Sequence, residues 1–166
     1  MSAFDAAFAA LMQHEGAYAD NPADPGGATK WGITERVARR YGYTGPMADL
    51  PQSTARAIAK TEYWDSVRGD EVSPALALQL LDAAYNSGPA RAIQWLQQAL
   101  GSTGAAVDGV FGPATMAAVR AYPNEARLIG RLNAFRLQYL AALPTWATFG
   151  KGWARRIADN LLRAPV

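Results

Sequence analysis

An all-α, or predominantly α, fold is predicted for these 166 residues by three observations. Apolar residues recur at three- and four-residue spacing in several segments, glycines stand at the ends of those segments, and no stretch sustains the period-2 alternation of a strand. Half of the residues are hydrophobic and 18% are charged, the balance of a folded globular chain. The length fits one compact unit.

The first helix is expected from Ser2 to His14, with Phe4, Phe8, Leu11 and Met12 on one side and Gly16 as its stop. From Ala19 to Trp31 the pattern dissolves into Asp, Asn, Pro and Gly, the chemistry of an ordered loop. Thr34 is placed to cap a helix through Val37, Ala38 and Tyr41 that ends at Gly42. Another runs from about Gln52 to Trp64, after the turn Tyr43-Thr44-Gly45-Pro46.

Residues Pro74 to Ser87 read as a helix apolar nearly all round and therefore buried. Its exceptions, Gln79, Asp82 and Asn86, are spaced three and four apart and form one polar stripe. Such a stripe is either hydrogen-bonded or lines a wet cavity. A helix through Ile93, Leu96 and Gln97 ends at Gly101, a glycine-punctuated loop leads to a short helix ending near Val119, and two amphipathic helices follow. Leu128, Leu132, Phe135, Tyr139 and Leu143 mark the first of these; Trp153, Ile157 and Leu161 mark the second, with the arginines mostly off the apolar faces.

The absence of cysteine excludes disulfides, thiolate nucleophiles and zinc–thiolate sites, and a single histidine argues against a histidine-rich metal centre. Met1 to Asp5 carries no basic, apolar signal sequence, and no run is long enough to span a bilayer. Residues 1–119 hold 8 Lys+Arg against 12 Asp+Glu, net −4, whereas residues 120–166 hold 8 against 2, net +6. The basic end, with Arg127 to Arg136 and Lys151 to Arg163, suits an anionic surface such as a bacterial envelope.

Chemistry concentrates between His14 and Thr34. Glu15 lies at the end of an apolar helix face, where desolvation would keep its carboxyl protonated, as a general acid requires. Asp24, in a polar loop, would stay ionised and activate water, and Thr29 supplies a hydroxyl to hold that water. Two carboxyls in unlike environments are the equipment of glycosidic hydrolysis. Asp20 competes with Asp24 for the second place, and Asp24 equally suits an Asx turn fixing Pro25-Gly26-Gly27. Asn86 is the best candidate for hydrogen bonding to substrate. Of Trp31, Trp64 and Tyr85, one at most is expected to stack on a sugar. His14 is expected to orient the site rather than carry a proton.

The segments His14-Glu15-Gly16-Ala17-Tyr18, Asp24-Pro25-Gly26-Gly27-Ala28-Thr29 and Trp31-Gly32-Ile33-Thr34 resemble the start of glycoside hydrolase family 108, the phage and bacterial N-acetylmuramidases. Asp82-Ala83-Ala84-Tyr85-Asn86-Ser87-Gly88 resembles that family's Asp-x-x-x-Asn-x-Gly segment. Leu96 to Gly101 followed by Val107 to Thr115 is similar to its peptidoglycan-binding region. One departure is Ala17, where the family usually has a second glycine.

The resemblance implies a lysozyme-like helical domain, with a catalytic region over 1–90 and a peptidoglycan-binding-like region over 91–166 packed as one unit. It implies cleavage of the β-1,4 bond between N-acetylmuramic acid and N-acetylglucosamine, with Glu15 as the catalytic acid; the residues read above add Asp24 and Thr29 as its catalytic partners and Asn86, Asp82, Gln79, Trp31 and Tyr85 as the candidates for binding substrate. No metal or organic cofactor is implied, peptidoglycan is the partner, a monomer is favoured and nucleic acid is not expected. An endolysin held in the host cytoplasm until released to the wall fits this reading. The contrasting reading is a non-catalytic protein, either a wall-binding module or a DNA binder in which Ile33 to Gly42 acts as the second helix of a helix-turn-helix.

Overall fold

A computed structural model of the chain describes residues 1–14, 18–19 and 27–164. The predominantly α architecture is as expected. Eight α-helices occur among these residues: α1 (Ala3–Met12), α2 (Glu35–Arg40), α3 (Gln52–Ile58), α4 (Pro74–Ser87), α5 (Pro89–Leu100), α6 (Pro113–Ala121), α7 (Glu125–Ala141) and α8 (Trp146–Leu161). None is long and apolar enough to cross a membrane.

Helix starts follow from local chemistry. Ser2 and Asp5 exchange hydrogen bonds in a capping box at α1, and the hydroxyls of Thr34 and Ser73 accept from the Val37 and Leu76 amides to cap α2 and α4. The expected stops at Gly42 and Gly101 adopt positive φ, +98° and +97°. The expected stop at Gly16 lies outside the described residues.

Two features depart from the sequence reading. The loop expected after residue 19 carries a small antiparallel sheet of three two-residue strands, β1 (Tyr18–Ala19), β2 (Thr29–Lys30) and β3 (Ile33–Thr34), paired in that order. Thr29 stands opposite both Ala19 and Thr34. Trp31 and Gly32, both at positive φ, turn β2 into β3. Strands this short contain no repeat from which alternation could be read. The second departure is α3, which ends at Ile58 and continues as a π-helical segment, Ala59–Trp64.

The central element is α4. Leu76, Ala77, Leu80, Leu81, Ala83 and Ala84 are all buried, and the helix packs against α1, α5, α7 and the π segment. Around it Phe4 meets the fully buried Trp64 edge-on at 5.4 Å, and Tyr63 meets Tyr85 at 4.8 Å. One contiguous hydrophobic core runs from Phe4 to Leu132.

The glycine-punctuated loop after α5 is organised by a buried side chain. Gln97 donates from Nε2 to Asp108 Oδ1 at 2.7 Å, Val110 O at 3.2 Å and Thr115 Oγ1 at 3.2 Å, while its Oε1 accepts from the Gly109 amide at 3.0 Å. Gly109, at φ +75°, lies so close to α5 that an added Cβ would stand 3.0 Å from the Ala90 carbonyl oxygen. The Asp-Gly motif thus has a packing reason as well as a family resemblance.

Candidate active site

Four pieces of chain converge. The end of α1 brings Gln13 and His14, the small sheet brings Gly32 and Thr34 while Thr29 and Trp31 line neither hollow described below, the last turn of α4 brings Tyr85 and Asn86, and α8 lies across from the end of α1. Glu15, Asp20 and Asp24 lie outside the described residues, in two stretches of sequence, 15–17 and 20–26, that flank β1.

Two hollows meet at Asn86. The first, about 470 Å³, is bounded by Gln13, His14 and Asn86 and by α8 through Phe149, Trp153 and the arginines 155, 156 and 163. The second, about 580 Å³, is bounded by Gly32, Thr34 and α2, by Glu62, Tyr63 and Ser66, and by the α4–α5 junction from Tyr85 to Pro89. Asn86 is the residue common to both walls, and its Oδ1 accepts from the Ser87 hydroxyl at 3.2 Å. A polar side chain at the meeting point of two open, polar hollows is well placed to hydrogen-bond an extended ligand.

Trp31 and Tyr85 are joined. The Tyr85 hydroxyl donates to the Trp31 carbonyl at 2.7 Å, and the Trp31 indole donates to the Leu50 carbonyl at 2.9 Å. Trp31 is half-buried at φ +54°, and these two bonds hold that strained turn in place. The Thr29 hydroxyl donates to Gly27 O at a long 3.5 Å.

Gln79 and Asp82 lie beneath the hollows and line neither. Gln79 is fully buried; its amide donates to Asn160 O and its carbonyl accepts from Asn133 Nδ2, both at 2.9 Å. Asp82 is 1% exposed and receives Arg136 Nη1 and Arg156 Nε at 2.7 Å each. Burial alone would push the Asp82 carboxyl upward, but the charges and hydrogen bonds of Arg136 and Arg156 together hold it below the usual carboxylate range. Of the stripe on α4, then, two members are consumed in a buried network and the third, Asn86, reaches the hollows.

The arginines of α7 and α8 are not all off the apolar faces. Arg136 is buried at 1% exposure, whereas Leu161 is 40% exposed. The charge of Asp82, arriving from α4, draws Arg136 inward. Trp64, the third aromatic candidate, is a core residue with no exposed surface. His14 stands with Nδ1 4.0 Å from Asp159 Oδ2. The α8 wall, with Phe149 and Trp153, was not singled out by sequence reasoning; the basic run from Lys151 to Arg163 was the one signal pointing there.

The family described as Glycosyl hydrolase 108 matches residues 8–88, and the family described as Predicted Peptidoglycan domain matches residues 91–158. No curated protein sequence matches the chain. Among solved structures, Brucella abortus SagA is similar with 38% identity and a TM-score of 0.86, over 96% of this chain and 92% of that one. Likeness at that identity over nearly the whole of both chains, together with the match across the helix, small sheet and α4 that frame the hollows, makes the chain a member of glycosyl hydrolase family 108, a glycoside hydrolase that acts on peptidoglycan.

Proposed function

We propose that the bond cleaved is the β-1,4 linkage between N-acetylmuramic acid and N-acetylglucosamine, with Glu15 as the general acid. Asp24, assisted by Thr29, positions and activates water. The observation that carries this reading is that Asn86 is common to the walls of two open, polar hollows, one of which is also bounded by His14, the sequence neighbour of Glu15. Asn86 hydrogen-bonds the glycan, and Trp31 with Tyr85 shapes the wall of the second hollow. Gln79 and Asp82 act from below by fixing α4, α7 and α8. Residues 1–90 carry the chemistry and residues 91–166 hold the wall polymer. The same reading makes the protein a lytic enzyme of the phage type, kept in the cytoplasm of the infected cell until released to the wall.

In the test, Glu15→Gln abolishes the release of reducing ends from purified peptidoglycan while its circular dichroism and melting match the wild type. Activity in a folded Glu15→Gln variant at the wild-type level overturns the assignment. Borohydride reduction of the products identifies the bond: reduced muramic acid is expected, and reduced glucosamine alone would point to cleavage of the other linkage. Asp24→Asn beside Asp20→Asn shows which aspartate serves; the larger loss is expected for Asp24→Asn.

A further inference from the structure

The hollow between the end of α1 and α8 has a composition that a neutral glycan does not need. Its described walls carry Arg155, Arg156 and Arg163 against one carboxylate, Asp159. Arg163 spends a hydrogen bond on the neutral Gln13 amide at 2.6 Å, which leaves its charge uncancelled by that contact. Beneath, Asp82 serves the guanidiniums of Arg136 and Arg156, and Arg156, whose side chain is 11% exposed, reaches the hollow's wall. A cleft whose described charges are mostly of one sign focuses its field on an anion.

The same helix adds an apolar surface. Phe149 is 51% exposed and packs on Trp153 at 5.7 Å, and Trp153 in turn packs on Trp146 at 6.2 Å. Between these aromatics and the arginines in sequence lies Gly152, in mid-helix, where an added Cβ would meet no atom of the described residues within 4 Å. Packing among the described residues does not require this glycine, although glycine is a poor residue for a helix interior. Its effect is to keep the hollow open.

We propose that this hollow is a subsite for the carboxylate-bearing peptide that branches from the glycan strand of peptidoglycan. Arg155 and Arg163 bind the carboxylates, and Phe149 and Trp153 lie against the aliphatic carbons of the peptide. The proposal rests on the glycan-cleaving reading above and names what else of the polymer is recognised. Charge decides between the two parts of the polymer: the amide-linked sugars of the strand are neutral, whereas its peptide branches carry the carboxylates. Asn86, shared by both hollows, sets the branch beside the strand.

The test uses the full chain and two substrates from one preparation: soluble glycan strands bearing peptides, and the same strands after an amidase has removed them and the lactyl carboxylate it leaves on each muramic acid has been converted to its amide. The wild type is expected to show a kcat/KM about ten-fold or more higher on the peptide-bearing strands, the effect of one or two charge-assisted hydrogen bonds. The Arg155→Gln/Arg163→Gln double variant brings that ratio toward unity, Arg155→Lys/Arg163→Lys restores part of it, and Gly152→Leu lowers it by filling the hollow. Arg120→Gln, the same charge change on α6, leaves the ratio at the wild-type value. A wild-type ratio near unity, or a ratio unmoved by the double variant, overturns the proposal.

Calorimetric titration with the free stem tetrapeptide separates this proposal from the reading beneath it. Binding to the wild type that the double variant loses supports the subsite even if neither strand is cleaved, and failure of cleavage then counts against the glycan-cleaving reading alone. Equal binding of the tetrapeptide with its carboxylates amidated, or of inorganic polyphosphate in its place, overturns the assignment to peptide.

Discussion

Two buried polar side chains, Asp82 and Gln97, organise this molecule in different ways. Gln97 ties together groups 11 to 18 residues away in sequence, so its bonds shape one loop between α5 and α6. Asp82 reaches across 54 and 74 residues to Arg136 and Arg156 and joins α4 to α7 and α8. The first network is neutral apart from Asp108, and losing it exposes a loop to rearrangement. The second is charged and buried, and losing its centre strands the guanidinium of Arg136, 1% exposed, and takes one partner from Arg156. Polar networks of similar size can therefore be local ties or global ones, according to the sequence distance they span and the charge they bury.

The largest expected effect breaks the global tie. Asp82→Ala should destabilise the fold by about 3–5 kcal/mol, as removal of one partner from a buried ion pair does, and urea unfolding measures it. A loss below about 1 kcal/mol would show that the guanidiniums find other partners.

Acid probes the same group with the sign fixed by its depressed pKa. The Asp82 contribution is fully present above the ordinary carboxylate pKa near 4 and is lost as pH falls through the lower folded value. Melting temperatures followed downward from pH 5 should therefore drop in the wild type, and the part due to Asp82 should be missing from Asp82→Ala. Parallel curves for the two proteins would remove Asp82 from the account.

A smaller effect is expected at the local tie. Gln97→Ala leaves the Gly109 amide without its partner, takes one of two donors from Asp108 Oδ1, which keeps the Val110 amide, and should cost about 1–3 kcal/mol. Limited proteolysis should cut first between Gly101 and Gly112. Cleavage instead spread over α7 and α8 would mean that this network, too, is global.

Much of the fold was legible because its signals are local. The ends of α4 at Pro74 and Ser87 follow from Ser73 as a cap, proline in the first turn and glycine just beyond, and its burial follows from the near absence of polar residues. The small sheet was not legible, because two residues display no alternation, and the π segment was hidden because Tyr63 and Trp64 suit an α-helical pattern equally well. The stripe on α4 was visible as a stripe. Which of its members would be buried was not, because that depends on Asn133, Arg136, Arg156 and Asn160, more than fifty residues away. Likewise Leu161 completes a helical apolar pattern yet faces solvent, since no element of the described chain covers it.

The junction between α4 and α5 carries a lesson for protein engineering. Gly88, at φ +86°, closes one helix and opens the next with no residue to spare, and it falls just where one family match ends and the other begins. Peptidoglycan hydrolases built as beads on a string can be recombined at their linkers, but here there is no string to cut. A chimera spliced at this glycine would inherit an α4 whose Leu80, Leu81 and Asp82 were shaped by the donor's own α5, α7 and α8, and the foreign half would have to supply both a matching apolar face and two arginines. Retargeting should therefore graft individual side chains on α8 and leave the seam intact.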